Sequence, residues 1–177
     1  MLICIIVIAL SVIFDQLTKQ LAVHFLEKGD PFDVIPGVFR FSYVENRGAA
    51  FGMLDDHRWV FMIISTVAIA AMLVYMWKFA PKSIFLTVGL SLVVGGGIGN
   101  MIDRVAYGYV VDFIDFCAFP NLWMWVFNVA DACVCVGAGM VMLYFVIDII
   151  KDAKKERAAK ENEEAAEIQN AENTENE

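Results

Sequence analysis

Four apolar stretches, each long enough to cross the hydrocarbon core of a bilayer, constrain this chain more than any other feature. A helix needs about 20 mostly apolar residues to span about 30 Å. Runs of that kind extend from about Leu2 to Leu26, Trp59 to Trp77, Ile84 to Ile102 and Val126 to Ile150. The first is longer than a signal peptide and lacks both a basic leader and an Ala-x-Ala-like exit, so it is expected to remain as a span. Of the 177 residues 59% are hydrophobic and 19% charged, against roughly 25% charged in a soluble domain. With a mean hydropathy of +0.62, a water-soluble fold is excluded. The expected class is all-α and integral to the membrane.

Short-loop cations orient such a chain, because Lys and Arg accumulate on the cytoplasmic side. Lys78 and Lys82 follow the second span, and Lys151, Lys154, Lys155, Arg157 and Lys160 follow the fourth. Both termini are therefore expected in the cytoplasm, with segments 27–58 and 103–125 outside. The bias is modest, since Lys28, Arg40, Arg47, Arg58 and Arg104 fall in the outer loops. Residues 1–150 form the expected membrane domain. Residues 151–177 hold nine acids and five bases and read as a charged cytoplasmic helix that frays into disorder. No basic stripe is present to displace counterions from phosphates, so nucleic acid is not an expected partner.

The outer segments carry strand patterns. Asp33 to Pro36 and Val38 to Tyr43 read as two short strands turned by Pro36-Gly37, and Phe39, Phe41 and Tyr43 alternate so as to share a face. Tyr107 to Phe116 is a third. A small sheet on the outer membrane surface is expected, with Ala49 to Leu54 as a short interfacial helix. The glycines at 95, 96, 97 and 99 suit close helix packing. Of the four cysteines, Cys133 and Cys135 are two apart and so on different helix faces; neither zinc nor a disulfide is expected.

A charge at membrane depth costs about 2.5–3.5 kcal/mol on insertion scales, so each one needs a partner or a task. Asp15 and Lys19 stand i,i+4 on one face, either neutralising each other or serving a site. Asn100-x-x-Asp103, followed by Arg104, closes the third span, and Asn128-x-x-Asp131 opens the fourth, at the same outer depth. Two carboxylates converging in a partly dry setting share one proton, so that one activates a water and the other donates to the carbonyl under attack. Spacing leaves Asp103, Asp112 and Asp115 open as partners for Asp131, with Asp103 the best placed on helical grounds and Asp115 expected at the exposed sheet edge. A metal is not expected, because Arg104 and the shortage of further acids work against it. A small proton- or cation-coupled transporter is the alternative, although its carboxylates belong nearer the midplane.

Asp15-Gln-x-x-Lys19, Asn46-Arg47-Gly48-Ala49-Ala50-Phe51, Gly-x-x-Asn100-x-x-Asp103-Arg104, Val110-Val111-Asp112-Phe113 and Phe127-Asn128-x-Ala130-Asp131 occur in order over residues 10 to 140. Together they resemble the lipoprotein signal peptidase family, signal peptidase II. The resemblance implies a bacterial inner-membrane aspartic endopeptidase with four helices, an outer β-cradle and a small interfacial helix. It implies cleavage of prolipoproteins just before a diacylglyceryl-modified cysteine, no cofactor, sensitivity to globomycin, and action as a monomer among membrane lipids. Asp112 and Asp131 become the expected catalytic pair. Asp15, Lys19, Asn46, Arg47, Gly48, Asn100, Asp103, Arg104 and Asn128 become supporting or substrate-contacting positions.

Overall fold

The computed structural model describes residues 2–48, 58–79, 81, 83–118 and 125–175. It contains four helices long and apolar enough to cross a membrane. They are α1 (Leu2–Leu26), α2 (Arg58–Phe79), α3 (Ile84–Ala106) and α4 (Val129–Glu175). Between them lie β1 (Phe32–Ile35), β2 (Phe39–Asn46), β3 (Val110–Phe116) and β4 (Val126–Phe127), forming one antiparallel sheet in that order. The expected interfacial helix at Ala49 to Leu54 lies outside the described residues.

Three differences from the hydropathy reading have physical causes. Val126 and Phe127 are apolar enough to extend the fourth span, but they pair with Asp115 and Ile114 as β4, and the helix begins only after Asn128. The third span continues to Ala106, carrying Asp103 and Arg104 inside the helix, and the Tyr107 N–H closes its end on the Asp103 carbonyl. The tail expected to fray is helical through Glu175. The chain divides into the units Met1–Met140 and Val141–Glu177, the second being the remainder of α4.

Helix packing in the first unit relies on missing side chains. A Cβ at Gly95 would meet Ser11 of α1 at 2.7 Å, one at Gly96 would run into the Ala130 carbonyl of α4, and one at Gly99 into the Asp15 carboxylate. From the other side, Gly137 of α4 lies against the Gly89 carbonyl, at 2.5 Å from an added Cβ. Small residues let these backbones approach closely, as in membrane helices generally. The expected glycine packing role holds, and it draws α1 and the first turns of α4 tightly against α3.

The sheet sits where the C-terminal ends of α1 and α3 meet the start of α4. Gly37 takes the left-handed conformation (φ 73°) that the β1–β2 turn requires, and the Val38 N–H closes it on Ile35. Phe41 pairs with Ile114 but Val44 with Asp112, so the register slips by one residue at a bulge. Because successive side chains alternate faces, this slip puts Asn46, opposite Val110, on the same face as Asp112. Phe39 and Phe41 pack edge to face, Phe41 and Tyr43 both pack against the Ala22, Val111 and Phe113 cluster, and the Tyr43 hydroxyl meets that of Tyr109 at 3.3 Å.

Gly96→Ala is expected to lower the thermal unfolding midpoint in detergent, at a cost of about 1–3 kcal/mol for overpacking. Gly139→Ala, where an added Cβ meets nothing within 4 Å, should instead gain up to about 1 kcal/mol of helix propensity. Equal effects of the two would contradict the packing account.

Candidate active site

Asp15 and Lys19 lie one turn apart on α1, on the side facing α3, and both are buried. The Lys19 ammonium is 2.9 Å from Asp15 Oδ2 and 2.9 Å from Asp103 Oδ2, and it donates to Asn100 Oδ1 at 2.9 Å. Its three protons thus meet three acceptors, which a buried ammonium needs. The alternative left open by spacing is resolved: the pair does not merely neutralise itself, because the cation bridges to two residues of α3. Both carboxylates reach further. Asp15 Oδ1 accepts from the Ala130 N–H at the start of α4, 2.8 Å, and Asp103 Oδ2 accepts from the Val111 N–H of β3, 3.1 Å. Gln16 adds bonds to Asp103 Oδ1 at 2.9 Å and to the Gly99 carbonyl at 3.2 Å. Gln16 belongs to the Asp15-Gln-x-x-Lys19 motif, but a neutral amide carries no burial cost of the size that singles out its charged neighbours.

The two Asn-x-x-Asp motifs turn out to be different objects. Asn100 and Asp103 lie inside α3, whereas Asn128 caps α4 with Asp131 in its first turn. Asn128 Oδ1 accepts from the Asp131 N–H at 2.9 Å, and Asp131 Oδ2 accepts from the Asn128 N–H at 3.2 Å. This reciprocal capping box satisfies two donors the helix would otherwise leave open. It also fixes the Asp131 carboxylate at the positive end of the helix dipole.

Asn128 then links the second carboxylate. Its side-chain N–H₂ donates to Asp112 Oδ1 at 2.6 Å and approaches Asn100 Oδ1 at 3.1 Å and the Val111 carbonyl at 3.3 Å. Asn100 donates to Asp131 Oδ1 at 2.8 Å, and Asn46 donates to Asp112 Oδ2 at 2.8 Å. Asp112 and Asp131 are therefore both hydrogen-bonded to the same residue, Asn128. Burial first, and then the charge of Asp131, push the Asp112 carboxyl up to about 7, against the pull of the Asn46 and Asn128 amides and the Lys19 ammonium.

Asp103, favoured for Asp131 on helical placement, is instead occupied by Lys19, Gln16 and Val111. The structure brings Asp15, Lys19, Asn46, Asn100, Asp103, Asp112, Asn128 and Asp131 into one network. Gly48 is buried beside it, its N–H on Asn46 Oδ1 at 3.2 Å. Arg104 donates to the Asn100 carbonyl of its own helix at 3.2 Å, and its charge lies within electrostatic reach of Asp131, Asp112 and Asp103. Arg47 is largely exposed, pairs with Glu45 at 2.6 Å and lies 5.6 Å from the Tyr109 ring centre. Asp115 is also not the exposed edge residue expected. With β4 alongside, β3 is an inner strand, and Asp115 accepts from Arg40 at 2.7 Å and Ser42 at 3.3 Å.

Next to the carboxylates, an apolar slot of about 230 Å³ runs between Ile114, Phe116 and Phe127 on the sheet and Ala132 and Cys135 on α4, with Asp131 and Asn128 in its wall. Among the described residues no buried side-chain nitrogen or oxygen lacks a hydrogen-bond partner. The arrangement places two carboxyl groups, both hydrogen-bonded to Asn128, beside an apolar slot.

Comparison with known proteins agrees with this geometry. The sequence profile of the family described as Signal peptidase (SPase) II matches residues 7–147. The chain is 44% identical over 141 residues to a lipoprotein signal peptidase of Symbiobacterium thermophilum, covering 77% of this chain and 90% of that protein. It is 45% identical over 143 residues to one of Caldanaerobacter subterraneus subsp. tengcongensis, covering 81% and 94%. A solved bacterial membrane enzyme structure obtained by the in meso method superposes with a TM-score of 0.76 at 35% identity, covering 82% of this chain and 88% of that one.

Removing the buried cation should cost more than any neighbouring change. Lys19→Met leaves two carboxylates facing each other and is expected to destabilise the protein by about 3–5 kcal/mol. Adding Asp103→Asn should recover part of that loss. Thermal unfolding in detergent reads both, and a Lys19→Met protein as stable as wild type would contradict the network.

Proposed function

Because the chain belongs to the signal peptidase II family, the lipoprotein signal peptidases, and so cleaves signal peptides of lipoproteins, we propose that Asp112 and Asp131 perform the cleavage as an aspartic pair. The observation that carries this reading is the joint hydrogen bonding of the two carboxylates to Asn128. Asp112, held near 7, keeps the proton the pair shares. Asp131 takes the charged role in this reading, with the Asn100 amide and the Asn128 N–H as its donors at the positive end of the α4 dipole. A water between them loses a proton to Asp131 as its oxygen bonds to the scissile carbonyl carbon. Asp112 gives its proton to the carbonyl oxygen. Collapse of the tetrahedral gem-diol then breaks the C–N bond, with the proton on Asp131 passing to the leaving amine and one hydroxyl proton of the diol returning to Asp112.

The remaining residues position this pair. Asn100 and Asn128 orient Asp131, Asn46 and Asn128 orient Asp112, and the Lys19 group holds α1, α3, β3 and α4 together behind them. Gly48 shapes the loop after β2, Arg104 braces α3, and Arg47 is free to meet substrate at the rim. The scissile bond lies just before the lipid-modified cysteine, and the apolar slot beside Asp131 receives flanking apolar parts of the precursor from the membrane. The short-loop cations Lys78 and Lys82 and those of residues 151–160 support cytoplasmic termini and a site at the outer surface. Substrate is thus met where a lipid-anchored precursor presents its modified cysteine.

The direct test is cleavage of a diacylglyceryl-cysteine precursor in detergent. Asp112→Asn and Asp131→Asn should each lower kcat by at least about a thousandfold while unfolding at a temperature near that of wild type. Turnover retained by either variant would contradict the assignment. The pH profile supplies a second test with a definite sign. Activity requires protonated Asp112, so it should fall as pH rises through about 7. The Asn46 amide stabilises the charged form, so Asn46→Ala should move that basic limb to higher pH; a downward shift would contradict the pairing.

A further inference from the structure

A second cavity, of about 540 Å³, lies away from the carboxylates, between the C-terminal half of α1 and the sheet. Leu21, Ala22 and Phe25 form one wall, and Phe32, Phe41 and Phe113 the other. Its polar lining is confined to Thr18 and Asp30. The Thr18 hydroxyl already donates within its own helix, to the Phe14 and Asp15 carbonyls at 2.9 Å each. Among the described residues no basic side chain lines it, which disfavours a phosphate or a free carboxylate as the natural occupant. The ligand that suits such walls is a hydrocarbon chain.

What reaches the mouth is the bilayer itself. Ile3, Ile6, Leu10, Phe14, Leu17, Leu21 and Phe25 are all exposed, and their three- and four-residue spacing makes one continuous stripe along α1. In a membrane-spanning helix that stripe faces lipid. Leu21 and Phe25 belong to the stripe and to the cavity wall alike, so the lipid-facing surface runs into the cavity without a polar barrier.

We propose that the cavity holds one acyl chain of a bilayer phospholipid, drawn in sideways past Leu21 and Phe25 until it rests on Phe41 and Phe113. The headgroup stays outside, near Asp30. Phe113 is next in the chain to Asp112, so a bound chain buttresses the strand that carries that carboxylate. This inference stands on the membrane placement of α1 and not on the roles of Asp112 and Asp131, and its test does not read activity.

The experiment places the full-length protein in nanodiscs with a phosphatidylcholine carrying a diazirine near the end of one acyl chain, followed by irradiation and peptide mapping. Phe113 is only 7% exposed and Ala22 only 4%, so lipid merely surrounding the helices does not reach them. Adducts at Phe41, Phe113 or Ala22, beside those on the outer stripe, are the expected result. Leu21→Trp, a change at an exposed lip position, should cut the inner adducts about tenfold by denying the chain its contacts while leaving labelling at Leu10 and Phe14 unchanged. Labelling confined to the stripe overturns the proposal, whether the cavity is empty or filled by another part of the chain. Inner adducts that disappear on adding lipidated precursor also overturn it, by assigning the cavity to the substrate's own chains.

Discussion

One buried ammonium organises the site. Lys19 is buried in the bundle, 1% exposed, and its stability there depends on Asp15, Asp103 and Asn100 being in place at once. Each anion it draws in has a second attachment. Asp15 accepts from α4 at Ala130, and Asp103 from β3 at Val111. The helix that carries Asp131 and the strand that carries Asp112 are therefore hung from the same charge. Separate secondary elements are brought to fixed positions by satisfying a single cation.

Asn128 converts that frame into a pair of carboxylates. As the cap of α4 it performs a structural task any such helix start requires, and the same residue spends its side-chain amide on Asp112. The two roles cannot be separated: the atom that accepts from the Asp131 N–H and the nitrogen that donates to Asp112 belong to one rigid planar group. Structural order in α4 thereby sets the relation between the carboxylates. The register slip in β2 completes the arrangement by carrying Asn46 to the other side of Asp112.

Much of this was legible before any coordinates. Four spans follow from hydropathy alone, with ends within a few residues except that the fourth helix continues well past Ile150 to Glu175, and the cost of charge in lipid singled out Asp15, Lys19 and both Asn-x-x-Asp motifs. The resemblance picked out Asp112, which spacing alone did not. Helical periodicity favoured Asp103 for Asp131 because it has no means of seeing that β3 folds back to deliver Asp112, or that Lys19 claims Asp103 first. The same limit applies to Val126-Phe127, whose hydrophobicity suits a helix and whose pairing with β3 makes them a strand. It applies to Asp115, whose neutralising Arg40 lies 75 residues away. The bulge between Phe41 and Val44 leaves no trace in an alternating pattern, and its effect on Asn46 is a property of the paired strands.

The account's central claim is that Asp112 and Asp131 hold one proton between them at neutral pH. Infrared difference spectroscopy of the protein in lipid, titrated through neutrality, observes this without substrate. A protonated-carboxyl band that disappears as pH passes about 7, and that is missing from Asp112→Asn, is the predicted outcome. A spectrum in which both carboxylates are already ionised well below neutral pH, or one unchanged by that substitution, would contradict it.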